Sequence, residues 1–157
     1  MPTSEEIEQV LSRLASAPGR FASALARLDD ADSVTSIGPG EWSPAEILAH
    51  VRASHAILEP RLLYILVRDN PPLPAYDDRR WAEVARFAAL PITASLETMS
   101  LQRKELVFAL RGVPASGWDR TGAHEVDGPV SLYQLARRIA DHDDEHCAQI
   151  EEIGARG

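Results

Sequence analysis

The chain has 157 residues, 45% of them hydrophobic and 25% charged, which is the composition of a folded globular protein rather than a disordered one. Its formal charge of −8 and its 16 scattered lysines and arginines exclude a basic surface for nucleic acid. No apolar run approaches the roughly 20 residues that span a bilayer, and the acidic N-terminus is not a signal peptide. We therefore expect one cytoplasmic domain over residues 1–157, with no membrane partner.

Helix signals begin at the first residues. Thr3 and Glu6 predict a capping box, followed by apolar residues at helical spacing. We expect this helix to bend or break at Pro18 and to end in the acidic run 29–32. Residues 38–40, which read Gly-Pro-Gly, predict a loop.

The rest of the chain alternates long helices with loops. A box formed by Ser43 and Glu46 opens a predicted helix to about residue 68, and the proline-rich run 70–74 ends it. Asp77 is expected to cap a short helix. Two more long helices are predicted over 91–112 and 131–153, and the latter opens with a Ser-x-x-Gln box. The stretch 114–129 is expected to be irregular, with no strand hairpin. The pattern predicts an all-α four-helix bundle with a short extra helix and long connecting loops.

His142 and His146 are the most informative pair of residues. A spacing of four places both imidazoles on one face of the last helix, and that face borders or lies within its apolar stripe. Two inward imidazoles are costly unless their nitrogens are satisfied, and a metal ion would take one nitrogen from each. The alternative is that both rings pack against the core and bond to carbonyls or water. The sole cysteine, Cys147, excludes a thiolate-rich zinc site and is interpreted as a buried structural residue.

A third ligand is expected from another helix. His50 flanks the apolar stripe of the second long helix, whereas His55 lies within that stripe. Helical spacing does not choose between them, and His55 is equally consistent with a core histidine. His124 lies in a loop and is expected either at the surface or at the mouth of the site.

Several further residues are weak catalytic candidates. Arg61 and Tyr64 share a helical strip with His50 and are candidates for facing a substrate. Asp143 is expected either to orient a ligand imidazole or to pair with an arginine. Glu145 completes an H-x-x-E-H pattern, but no third ligand follows it downstream, so we interpret it as part of a solvated helix face.

Three segments resemble the DinB-like superfamily of bacterial four-helix bundles. The run from Gly40 to His50 (GEWSPAEILAH) is similar to its "G-E-W-S-x-x-E-x-x-x-H" motif. The segment 118–132 resembles its "W-x-R-x-G-x-H…G-x-x-T/S-L" connection, and 142–150 its "H-D-x-x-H-x-x-Q-I" helix. The resemblance implies an up-down-down-up bundle, a homodimer and a metal ion held by His50, His142 and His146.

The function that follows is an enzyme acting on a small molecule. The expected ion is a divalent transition metal, zinc or nickel foremost. Three imidazoles leave some of its coordination positions open, and water or a thiol bound there is activated. The resemblance implies either a thiol S-transferase, with a low-molecular-weight thiol as cofactor, or an isomerase or hydrolase. We expect the activated group to attack a small electrophile. The alternatives are a non-catalytic metal-binding stress-response protein and a bundle that binds a ligand without chemistry.

Overall fold

The computed structural model describes residues 1–36 and 38–156, and four long helices dominate these ranges. The connections hold two shorter helices, three short strands and 3₁₀ turns at Phe87–Ala89 and Ala115–Asp119. In chain order the elements are α1 (Ser4–Leu25), α2 (Asp30–Val34), α3 (Pro44–Val67), β1 (Pro72–Leu73), α4 (Asp78–Ala85), α5 (Ile92–Arg111), β2 (Thr121–His124), β3 (Gly128–Ser131) and α6 (Leu132–Arg156).

The predicted starts of three long helices are confirmed. Thr3 and Ser43 each accept a hydrogen bond from the backbone N–H three residues on, and the glutamate there accepts one from the cap residue's N–H. Ser131 and Gln134 make the same reciprocal pair at the start of α6. These bonds satisfy N–H groups that have no partner within the helix.

The long helices run up-down-down-up, which confirms the expected bundle. Residue numbers rise together across the α3–α5 and α1–α6 contacts, so each of these pairs is parallel. Across the α3–α6 contacts the residue numbers rise in one helix and fall in the other, so this pair is antiparallel. Because α5 is parallel to α3 and α1 is parallel to α6, α1 and α5 are antiparallel as well. The contacts are Arg52–Ser95, Glu59–Arg103, Arg13–Asp141, Arg20–Asp144, His50–His146 and His55–Asp143.

The expectation of an irregular stretch over 114–129 without a hairpin is wrong. Strands β2 and β3 pair antiparallel, and β1 pairs parallel with β2. The strands are too short, and too rich in glycine and proline, to show an alternating pattern. A Cβ at Gly122 in β2 would lie 2.7 Å from Leu73 Cδ1, so a larger residue here would require the buried Leu73 side chain to shift.

Of the bend or break expected at Pro18, the break does not occur, and α1 continues through this residue to Leu25. A proline within a helix costs about 3 kcal/mol, but buried residues on both sides, including Leu14 and Phe21, hold the two halves against the bundle. The helix also ends at Leu25, before the acidic run 29–32 in which its end was expected, and that run begins a short helix of its own. Asp29 caps the short helix α2 by accepting from the N–H of Asp32.

The core consists of two apolar clusters along the bundle axis. One surrounds the end of α3 and the start of α6 and includes Ile65 and Leu132. The other surrounds the start of α3 and the second half of α6 and includes Val51 and Ile150. Over both described ranges, no helix has the length and apolarity needed to cross a membrane.

Candidate metal centre

Three histidine rings converge between α3 and α6. His142 Nε2 lies 3.0 Å from His50 Nε2 and 3.1 Å from His146 Nε2. One ligand atom from each ring can be chosen so that all three lie within 4.8 Å of one another. The antiparallel packing of α3 against α6 brings His50 opposite the i, i+4 pair, so a single point can be reached by nitrogens from two helices.

The separations of the nitrogens fit a shared metal ion. Histidine nitrogens bind zinc at about 2.0–2.1 Å, so two ligands lie about 3.3–3.4 Å apart at the tetrahedral angle and about 2.9 Å apart at the right angle of octahedral coordination. The observed separations of 3.0 and 3.1 Å lie between these values. Three imidazole nitrogens without a thiolate also suit zinc, nickel, iron or manganese.

The opposite ring nitrogens are compatible with metal binding through Nε2. His146 Nδ1 donates to Gln149 Oε1 at 2.8 Å, which leaves its Nε2 lone pair free to bind. His50 Nδ1 lies 3.5 Å from Asp78 Oδ2, too far for a good hydrogen bond. His142 Nδ1 is buried and has no partner among the described residues.

The pKa values of His142 and His50 favour the neutral imidazole, the form that binds metals. Burial, with the neighbouring His146 and His50 adding to its effect, lowers the pKa of His142 to about 3. Burial also lowers the pKa of His50, with Asp78 opposing the shift and His146 and Arg79 adding to it. Removal of protons therefore costs little when an ion binds.

An open cavity of about 640 Å³ leads from the surface to His50 and His146. Its wall is formed by the loop before α3, the start of α4 and the outer face of α6. The lining includes Gly40, Glu41, Trp42, Arg79, Glu145, Gln149 and Glu152. An ion on the three histidines would thus face a space large enough for a small molecule.

Comparisons with known proteins agree with this geometry. A sequence profile of the DinB superfamily matches residues 5–150. The chain belongs to the DinB superfamily. A Bacillus pumilus protein named "Putative metal-dependent hydrolase" is 30% identical over 152 residues, which cover 96% of this chain and 86% of the relative.

Two solved structures share the fold of this DinB-superfamily chain. YfiT from Bacillus subtilis, described as "a probable metal-dependent hydrolase with an unusual four-helix bundle topology", matches with a TM-score of 0.91 at 20% identity, over 99% of this chain and 90% of YfiT. A mycothiol-dependent maleylpyruvate isomerase matches with a TM-score of 0.73 at 17% identity, over 96% of this chain and 63% of the isomerase.

His55 lies in a buried polar cluster rather than with the other rings. Its Nε2 is 2.7 Å from Asp143 Oδ1, and Arg103 Nη2 is 3.0 Å from Asp143 Oδ2. Glu59 lies 3.4 Å from the Arg103 Nε atom. Burial would raise the pKa of Asp143, but His55 and Arg103 outweigh it and hold that pKa below its ordinary value. Of the two roles expected for Asp143, pairing with an arginine is the one observed.

The other three catalytic candidates lie outside the cavity. Arg61 is buried, donates to the Pro74 carbonyl and stacks over Tyr76, while Tyr64 is half-exposed on the same side of α3. His124 Nδ1 accepts from the Asp127 N–H in the hairpin. The hairpin precedes α6, and ten residues of helix, or about 15 Å, separate the start of α6 from His142.

Two acidic residues of α6 make partly exposed ion pairs with α1. Asp141 and Asp144 pair with Arg13 of α1, and Asp144 also pairs with Arg20. Glu145 is exposed, but it lines the cavity at the three histidines. The exposure of Glu145 agrees with the solvated helix face predicted for it.

Cys147 is buried, as predicted, and its thiol lies 3.9 Å from Glu151. Burial raises the pKa of this thiol, with Arg20 opposing the shift. The thiol is therefore protonated at neutral pH and is a poor nucleophile. Any thiol chemistry at the three histidines has to use a thiol from outside the chain.

Sequence reasoning did not assign four residues around the rings: Trp42, Asp78, Arg79 and Gln149. Gln149 follows His146 by three positions, a helical spacing that could have identified it. The Trp42 ring centroid lies 4.8 Å from that of His50, a contact that the sequence around Trp42 does not indicate. Asp78 and Arg79 reach the site only through the packing of α4 on α3, which no local pattern indicates.

We expect Asp78→Asn to lower zinc affinity by up to about tenfold, because the negative charge of this carboxylate, 3.5 Å from His50 Nδ1, makes the ligand imidazole more basic. Competition with a chromophoric chelator measures the affinity. The matched control is Glu83→Gln, which also removes a carboxylate from α4 but at an exposed position paired with Arg80. Equal affinities in the two variants would show that Asp78 does not support His50.

Proposed function

We propose that this chain is a metal-dependent enzyme in which His50, His142 and His146 hold one divalent ion, zinc or nickel foremost. The observation that carries the proposal is the convergence of three imidazole nitrogens, from two helices, beside an open cavity. A structural zinc site normally closes with a fourth protein ligand. The described residues supply only these three histidines as a cluster of this kind.

The proposed chemistry is activation of water or of a small thiol for attack on a small electrophile. The bound ion would act as a Lewis acid that lowers the pKa of water or of a thiol towards neutrality. The protein orients the imidazoles, with Gln149 fixing His146 and Asp78 lying near His50. Trp42 packs on His50 and shields one side of that ring from water.

Similar proteins support each of the two proposed nucleophiles, water and a small thiol. The name of the Bacillus pumilus relative supports hydrolysis, with water as the nucleophile. The fold shared with a mycothiol-dependent isomerase supports use of a low-molecular-weight thiol. Because Cys147 is buried and its pKa is raised, the use of a thiol requires a soluble cofactor.

Cobalt(II) substitution tests whether the site is open. Cobalt-loaded, tag-free protein is titrated with azide and, separately, with a small thiol, while its visible absorption is recorded. We expect both ligands to change the spectrum, because they enter positions that the protein leaves unfilled. A spectrum that neither ligand alters would instead support the rival class, a non-catalytic protein in which the ion only ties α3 to α6.

The metal-free protein should lose stability on acidification. The folded state holds His142 neutral, whereas in the unfolded chain the same imidazole takes up a proton below its ordinary pKa of 6.5. The contribution of His142 to the free energy of unfolding therefore falls as the pH drops from 6.5 towards 3. By about pH 5.5 the loss attributable to His142 is about 1 kcal/mol. Urea unfolding with a chelator present, near neutral pH and near pH 5.5, measures it. His142→Gln should reduce this pH dependence by about that amount; an unchanged dependence would contradict the account.

A further inference from the structure

Arg79 provides a positively charged group on the wall of the cavity. Its guanidinium lies 4.6 Å from the centre of the Trp42 ring, and that ring packs on His50. Among the described residues, no hydrogen bond or ion pair engages the Arg79 side chain. By contrast, the next residue, Arg80, pairs with Glu83 at 3.0 Å and does not line the cavity.

Stacking on Trp42 prepares the guanidinium for recognition of an anion. A guanidinium over an aromatic face keeps its edge donors available and loses less conformational freedom when it binds. Those donors form a planar fork that matches a carboxylate with two parallel hydrogen bonds. The contacts through Trp42 place this fork beside the histidine cluster rather than at a remote part of the surface.

The remaining charges of the cavity oppose an anion. Glu41, Glu145 and Glu152 line the same space, and all three are exposed. Their fields are screened by salt and are not directed at one point, whereas Arg79 offers a fixed and directional partner. The three glutamates acting alone would favour ligands with an ammonium group, whereas Arg79 would favour ligands with a carboxylate. The two therefore predict opposite selectivity.

We propose that Arg79, held on Trp42, binds a carboxylate of the substrate or of the thiol cofactor. The class of ligand is a small molecule with a metal-binding thiol or an electrophilic centre and a carboxylate a short chain away. This inference rests on the proposed function, because the metal site holds the reacting end of such a ligand. Arg79 then determines specificity at the other end.

Three thiols of equal length test the proposal: mercaptopropionate, mercaptopropanol and mercaptopropylamine. Each is titrated into cobalt-loaded, tag-free protein, and the thiolate-to-cobalt absorption gives its dissociation constant. We expect the carboxylate to bind about tenfold more tightly than the alcohol, as a charge-assisted pair would provide. Arg79→Gln should abolish this preference, and Arg79→Lys should retain part of it. Arg80→Gln, which removes the neighbouring charge outside the cavity, should leave it unchanged.

The outcomes separate this inference from the proposed function. A carboxylate preference that survives Arg79→Gln, or a preference for the amine, overturns the role of Arg79 while the cobalt site stands. A loss of preference in both Arg79→Gln and Arg80→Gln also overturns it, since net charge would then explain the effect. If wild type binds no cobalt, it is the proposed function that fails.

Discussion

Replacement of His142 by alanine should weaken zinc binding more than a hundredfold. His142 is the central ring of the cluster, and its Nε2 lies within 3.1 Å of both other Nε2 atoms. Loss of a partner that only orients a ligand costs about 10–100-fold in affinity, so loss of the ligand itself should cost more. Competition with a chromophoric chelator at neutral pH gives the dissociation constants.

His124→Ala is the matched control, because it also removes one imidazole but from the hairpin. It should bind zinc as wild type does. Equal loss in the two variants would show that zinc binds histidines non-specifically. Full affinity in His142→Ala would show that the ion, if there is one, does not use the cluster.

Replacement of Asp143 by alanine should lower the free energy of unfolding by about 3–5 kcal/mol, which is typical for breaking a buried ion pair. Arg103 and His55 are at most 2% exposed, and the substitution would leave His55 without its carboxylate and Arg103 with only Glu59, 3.4 Å from its Nε. The expected loss does not measure how strong the ion pair of Asp143 and Arg103 is. It measures the cost of leaving a buried charge without the partner that compensates it.

Urea unfolding measures this effect, with Asp141→Asn as the control. Asp141 is two residues away on α6 and is half-exposed in its pairing with Arg13, so its loss should cost less than about 1 kcal/mol. A change below about 1 kcal/mol in Asp143→Ala would mean that the buried cluster contributes little to stability. The double replacement of Asp143 and Arg103 by apolar residues should recover part of the loss.

The helices could be predicted because their signals are local. The capping boxes at Thr3 and Ser43 depend on residues three positions apart, and a helix fixes that spacing. The hairpin could not be predicted in the same way. Its strands are four residues each, and β2 is held partly by β1, which is some fifty residues earlier in the chain. Pairing over such a distance leaves no periodic pattern in one sequence.

The candidate site was predictable only in part. Spacing placed His142 and His146 on one face, but it could not choose between His50 and His55. Both lie on inward parts of α3. Which of the two faces the pair depends on where along α3 the residues 142–146 of α6 pack. In the structure that packing sets His50 opposite the pair and His55 against Asp143.

The residues that shape the cavity depend on tertiary packing. Arg79 belongs to a short helix with an exposed, strongly polar sequence, and nothing in that sequence links it to Trp42. The contact of Trp42 with His50 follows from the turn that precedes α3. Resemblance to the superfamily indicated the three ligands, but the residues that line the cavity could be identified only from the structure.

The most direct test of the account is the metal content of tag-free wild-type protein, measured by elemental analysis after purification and again after reconstitution with zinc or nickel and extensive dialysis. We predict about one equivalent of a divalent transition metal per chain, held by the three histidines. Protein that contains no metal, even after reconstitution, would contradict the central claim, because three converging imidazoles would then be only a packing arrangement within the bundle.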